Sequence, residues 1–215
     1  MERIARVFAA ILLALCLSSP VRADGKATVP DNEIADLFSA FCLKAFPDPS
    51  ALDRAGEARK AAVMNAGEVA AFLHEDPGRG WTLRTSQAQY VITIEYPPYE
   101  GCVVRRMTPS GLSGVKNYLA AVAAYAAAKK GKLATMPPMK AQLPGGLDVS
   151  ANSFKMLDAA GEAAETFAVA LTNYHGRVPE PFRRDAGSGA GVEVRFVHQL
   201  IAPKLAGPAK GGGSL

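Results

Sequence analysis

Two cysteines constrain this chain more than any other feature, because they lie in segments with different hydrophobic periods. Residues 31–45 carry Ile34, Leu37, Phe38, Phe41, Cys42 and Ala45 at helical spacing, so Cys42 falls on the buried stripe of an amphipathic helix. Asp31 is placed to cap this helix, and Pro47 and Pro49 end it. From residue 81 the period changes to two. The runs 81–85, 90–96 and 102–107 are rich in aromatic and β-branched residues and are separated by turn-forming stretches. In the middle run Tyr90, Ile92, Ile94 and Tyr96 share one face, and Val91, Thr93 and Glu95 share the other. This predicts a three-stranded antiparallel meander with one wetter face. Cys102 opens its third strand, so a Cys42–Cys102 disulfide would staple a helix layer onto a sheet.

Whether the bond forms depends on compartment, and the N-terminus speaks to that. Arg3 and Arg6 precede an apolar run at 7–17, which is shorter than the roughly 20 residues a spanning helix needs. Val21-Arg22-Ala23 offers a cleavage point, so residues 1–23 read as a signal peptide. The competing lipoprotein reading would lipidate Cys16, but Leu15 is too large for the preceding position. Cleavage leaves Cys42 and Cys102 as an even pair in an oxidising compartment, which favours a disulfide over free thiols. It also leaves 21 basic and 19 acidic residues. That balance, without a basic stripe, argues against a nucleic-acid partner. Abundant alanine and the lack of an Asn-x-Ser/Thr sequon fit a bacterial export substrate, periplasmic or secreted.

A second helix is expected from a Ser50–Asp53 capping pair to residue 64, with a further turn at 68–74 after Gly67. Residues 114–130 read as a helix capped by Ser113 and closed by Gly131, apolar on one side and mostly alanine on the other. So little polar surface suggests burial on more than one side, with a homo-oligomer contact through 114–130 as the alternative. A Pro-rich connector spans 133–147. Strands are expected at 153–157, 165–173 and 192–201, the last two as a long hairpin. The fold expectation is α+β: an antiparallel sheet of about five to six strands with helices packed on one face and one disulfide. It forms a single domain over 24–201, and residues 202–215 are a Gly/Pro/Ala-rich tail read as disordered.

The chemistry is sparse. His74-Glu75 is followed by Asp76-Pro77-Gly78, which breaks any HExxH helix. If the hairpin turns near residue 183, His198 sits opposite Phe167 and about 26 Å along the strands from His175, too far for a shared metal. All three histidines are therefore read as surface or edge groups. No GxSxG elbow, CxxC motif, phosphate loop or motif-placed carboxylate pair occurs, so no catalytic residue, metal or cofactor is assigned.

Two surface features suggest binding. Tyr96-Pro97-Pro98-Tyr99 is a stiff aromatic turn that can act as a stacking platform, with a cis-proline in view. The connection from 175 to 190 is long for a hairpin and carries Arg177, Phe182, Arg183 and Arg184, a cationic-aromatic set suited to anionic, carbohydrate or protein ligands. The helix ending in Phe41-Cys42-Leu43-Lys44-Ala45-Phe46-Pro47-Asp48, the tryptophan-led strand and the second cysteine resemble the small exported proteins of unknown function of alphaproteobacteria, over roughly residues 31–108. That resemblance implies export and a scaffold, not an activity. The expected role is a non-catalytic exported protein that binds an envelope component or a protein partner. The alternatives are an envelope hydrolase with a scattered site and an oligomeric structural protein.

Overall fold

The computed structural model describes residues 28–143, 147–175 and 191–201. Residues 1–23 expected as a signal peptide, residues 202–215 expected as a disordered tail, and the segment holding Arg177, Phe182, Arg183 and Arg184 lie outside the described residues. Nine strands form one sheet: β1 (Ala62–Val63), β2 (Gly78–Arg84), β3 (Gln89–Glu95), β4 (Gly101–Thr108), β5 (Lys132–Thr135), β6 (Met139–Leu143), β7 (Leu147–Leu157), β8 (Ala163–Tyr174) and β9 (Gly191–Leu200). Their order is β1-β2-β3-β4-β9-β8-β7-β5, with β6 also on β7. Every pair is antiparallel.

This corrects the expectation of five to six strands. The three additional ones are short or exposed. β1 is two residues long and lies where the second helix was expected to continue. β5 and β6 occupy the expected connector and run one after the other along the outer side of β7. They amount to one edge strand interrupted at Pro137-Pro138, where two missing N–H groups remove ladder donors. The meander and the long hairpin are as expected, with Phe167 opposite His198.

The helices are α1 (Asn32–Phe38), which continues as a π-helical turn over Ser39–Ala45, then α2 (Pro49–Ala58), α3 (Ala66–Leu73) and α4 (Lys116–Ala128). α1, its π extension, α2 and α4 cover one sheet face. Phe38, Phe41, Leu52, Tyr118 and Val122 meet Trp81, Tyr90, Ile92, Ile94, Val104, Phe167 and Phe196 there. Burying each of the large apolar side chains contributes about 1.5–3 kcal/mol. Gly56 lets α2 lie close to the sheet, since a Cβ there would come within 2.8 Å of Trp81 Nε1. The disulfide between Cys42 and Cys102 is present and ties the π turn to β4.

The helices are not confined to that face. α3 seats Val69 and Leu73 on Met64, Val91 and Met107, which alternate to the opposite side of the sheet. Gly78 and Gly80 make room for it, because a Cβ at either would collide with Leu73 or Met64. The face expected to be wetter is therefore dry at Val91 and Thr93, both fully buried. α3 covers only the β2–β4 half, and the same face of β7, β8 and β9 carries no helix.

Local capping also differs from expectation. Asp31 makes no side-chain bond to α1. It reaches across the chain to α4 instead, accepting from Asn117 N at 2.9 Å, Tyr118 N at 3.0 Å and Asn117 Nδ2 at 2.8 Å. Ser113 is thereby displaced as the cap, and its hydroxyl donates to Val29 O at 3.3 Å. α2 is capped by Asp48 ahead of Pro49 rather than by Ser50. A reciprocal Asn65–Glu68 capping box begins α3.

Candidate functional site

Three groups of polar side chains are positioned by this sheet. The first is buried under the helices. His198 is 0% exposed, which overturns its reading as a surface histidine. It stacks on Phe167, with ring centroids 4.7 Å apart, and meets the edge of Phe46. Its Nδ1–H donates to Cys42 O at 2.6 Å. The π turn explains why that carbonyl is available. A π-type bond would require the N–H of residue 47, and Pro47 has none. On the other side, Nε2–H donates to Glu165 Oε2 at 2.6 Å. Glu165 also accepts from Tyr125 OH at 2.9 Å and from Lys129 Nζ at 2.8 Å. Both ring nitrogens are thus engaged by oxygens of other elements. Burial raises the Glu165 pKa, but hydrogen bonds from His198, Lys129 and Tyr125 outweigh it and hold the carboxyl at about 2. Among the described residues the cluster includes no serine, threonine or free thiol. It joins the π turn, α4, β8 and β9, and its role is to hold them together.

The second group lies on the other face, beside α3. Arg105 and Arg195 are cross-strand partners on β4 and β9. Like charges placed directly opposite repel, and Glu193 lies against both: Oε1 is 3.5 Å from Arg105 Nε and Oε2 is 2.7 Å from Arg195 Nη2. Tyr174 donates to the same carboxylate at 3.0 Å. Thr93 accepts a hydrogen bond from Arg105, whose guanidinium lies over Phe72. Burial and the neighbouring Arg195 bring the Arg105 pKa down to about 10, and burial beside Glu193 pushes the Tyr174 hydroxyl up to about 12. These groups largely satisfy one another, which makes the cluster a substructure of the sheet.

The third group is open to solvent. On the side of the sheet covered elsewhere by α1, α2 and α4, no described helix covers the outer ends of β6, β7 and β8. A cleft of about 360 Å³ lies there, lined by Lys140, Gln142, Asp148, Ser150 and Asn173 with the backbone-flanking Ala141 and Val149. Strand register builds it. Gln142 is opposite Asp148, Lys140 is opposite Ser150, and Asp148 is opposite Asn173, so all five polar side chains fall on one face. His175, just past β8, pairs with Asp148 at 2.8 Å. Hydrogen bonds from His175 and Gln142 hold the Asp148 carboxyl below the usual carboxylate range. The cleft therefore presents an ammonium, an imidazole, a carboxylate, two amides and a hydroxyl, a mixed donor and acceptor set. Its volume lies in the range of small-ligand sites.

The predicted aromatic platform is elsewhere. Tyr96 and Tyr99 are exposed on the β3–β4 turn, which contains a cis Pro97–Pro98 bond and is tied to β9 by Gln199 Nε2 donating to Tyr99 O at 3.1 Å. That turn is at the Gly101–Gln199 end of the sheet, whereas Asn173 and residue 175 are at the other end. About 24 Å of strand separates the two. They cannot touch one small ligand together. The arginines predicted at 177, 183 and 184 lie outside the described residues.

The remaining expectations concern α4 and metals. α4 packs through Tyr118, Val122 and Ala126, while Ala120, Ala123, Ala124, Ala127 and Ala128 are exposed, so it is buried on one side only. Among the described residues no cluster of three or more His, Cys, Asp or Glu side chains is placed to hold a metal. No helix among them is long and apolar enough to cross a membrane. The sequence reading missed Lys140, Gln142, Asp148, Ser150 and Asn173. The available signal was the alternation Met-Lys-Ala-Gln-Leu at 139–143. No family model, curated protein or solved structure matches the chain.

Proposed function

We propose that this is an exported, non-catalytic protein that binds an envelope component or a protein partner through the β6–β8 end of its sheet. One observation carries the reading. The described helices cover the centre of that face and leave an open cleft where five polar side chains converge. The mixture of Lys140, Gln142, Asp148, Ser150 and Asn173 with no dominant charge suits a hydroxyl- or amide-bearing ligand such as a glycan or a peptide. Arg177, Phe182, Arg183 and Arg184 follow His175 in sequence, and these candidate binding residues lie outside the described residues. Export rests on residues 1–23 and on the disulfide, which persists in oxidising compartments. A catalytic reading draws less support. The His175–Asp148 pair is exposed on both sides, and no described hydroxyl is hydrogen-bonded to the imidazole.

The test is a two-dimensional amide NMR titration of mature protein with soluble peptidoglycan fragments and with envelope oligosaccharides. Shifts should cluster at residues 140–150 and 173–175 and leave the Tyr96–Tyr99 turn unmoved. The combined change Lys140→Ala, Gln142→Ala and Asn173→Ala should abolish them with little change in melting temperature, since exposed polar positions contribute within about 0.5 kcal/mol each. Shifts centred on the β3–β4 turn or on the outer side of α4 would overturn the assignment.

A further inference from the structure

We infer that β6 is a self-pairing edge, through which two copies of this chain join their sheets into one. Among the described residues β6 pairs with β7 alone, and all five of its residues are exposed, with Met139 at 52% and Leu143 at 46%. The outer side of such a strand presents a row of unpaired backbone donors and acceptors, a template for another strand. Natural edges are commonly blunted by charge, bulges or cover. β6 has one lysine and pairs in register with β7 over its whole length, without a bulge.

The strand is complementary to itself. An antiparallel pairing with its two-fold axis at Ala141 places Met139 opposite Leu143, Lys140 opposite Gln142, and Ala141 opposite its own copy. All five residues are used, apolar groups meet apolar groups, and no like charges are opposed. Sliding the partner by two residues one way sets Lys140 against Lys140, and the other way leaves Lys140 without a partner residue inside the strand. A slip of one residue turns the apolar face over. The sequence also bounds the edge, with Pro138 immediately before it and Pro144 immediately after. On the apolar side Met139, Ala141 and Leu143 are continuous with Ala151, Val149 and Leu147 on β7, so pairing extends an existing apolar strip across the two-fold axis. The occupant is a second copy, because the reversed strand sets apolar residues against apolar residues and Lys140 against the uncharged amide of Gln142.

The proposal is independent of what the cleft binds and is tested without a ligand. Mature, oxidised protein is compared with Gln142→Lys and Gln142→Glu by sedimentation over a wide concentration range. The substitutions put like or opposite charges directly across the axis, twice per dimer. Gln142→Lys should weaken association roughly ten-fold and Gln142→Glu should strengthen it by a similar factor. Ala141→Cys provides a second reading. Opposed Cα atoms in an antiparallel pair are about 4.5–5.5 Å apart, within disulfide range. This variant should oxidise to a covalent dimer, whereas Ala134→Cys on β5 should not. Melting curves confirm that each exposed variant is folded. A monomer up to about millimolar concentration, charge variants that shift association in the same direction, a dimer indifferent to residue 142 as expected for contact through α4, or capture of a foreign extended peptide without self-association would each overturn it.

Discussion

Glu165→Gln isolates the charge of the buried cluster while keeping its shape. In the wild type the carboxyl is at about 2 against an ordinary 4.5, and it is almost wholly buried. A folded-state pKa depressed by that amount corresponds to about 3 kcal/mol of stability at pH 7. The sign follows from the direction of the shift. The contribution is complete above the unfolded-state value near 4.5 and is lost as pH falls toward 2, where the folded carboxyl also takes a proton. Glutamine cannot ionise, so the variant lacks this term at every pH. Urea unfolding should therefore show a gap of about 3 kcal/mol at pH 7 and about 1.5 kcal/mol at pH 3. In a domain of this size the pH 7 gap is a fall of roughly 6–12 °C in melting temperature. Lys129 is half-exposed, so Lys129→Met should cost less than about 1 kcal/mol even though it contacts the same carboxylate. The reasoning fails if Glu165→Gln costs less than about 1 kcal/mol at pH 7, or if its gap is the same at pH 7 and pH 3.

Two further perturbations test other parts of the fold. Cys102→Ala opens a link between residues 60 apart and should cost about 4 kcal/mol by the chain-entropy estimate, read as a drop of roughly 10 °C in melting temperature that reducing agent reproduces in the wild type. Gly56→Ala should destabilise by about 1–3 kcal/mol because its Cβ would meet the buried Trp81 indole, whereas Gly67→Ala, with only Asn65 Oδ1 at 3.4 Å, should be stabilising by up to about 1 kcal/mol in the same unfolding assay.

Parts of this architecture were legible because burial writes a period into the chain. Tyr90, Ile92 and Ile94 alternate toward the helices, and Glu165–Asn173 with Val192–Leu200 give the long hairpin and its register, down to Phe167 opposite His198. The cysteines were legible for the same reason, one on each buried pattern. Capping was read one contact too locally. Asp31 precedes α1 and carries the right side chain for its cap, yet the carboxylate serves α4, 86 positions away, and no local motif encodes that choice. β1 and β6 escaped because neither is buried, and the driving force that imposes alternation is absent at an exposed edge.

The polar sites were hidden for a related reason. His198 continues the alternation of Val192, Val194 and Phe196 on the covered face, but a polar side chain at that place does not by itself show what it meets. Its environment is assembled from Cys42 O, exposed by Pro47, and from Glu165, a carboxylate in an otherwise apolar strand. A strand that alternates strictly should place a hydrophobe at 165, in line with Phe167 and Val169 on the covered face. Glutamate there makes sense only if cations arrive from elsewhere, and a lysine at the end of α4 can equally serve its own helix dipole. Lys129 instead donates to Glu165 at 2.8 Å. Buried charge in this protein is thus matched between elements distant in sequence, and the matching becomes visible only once the strand order is known. The cleft follows the same logic. Gln142, Asp148 and Asn173 come from three strands, and their convergence depends on a pairing of β6 with β7 that no hydrophobic period announces.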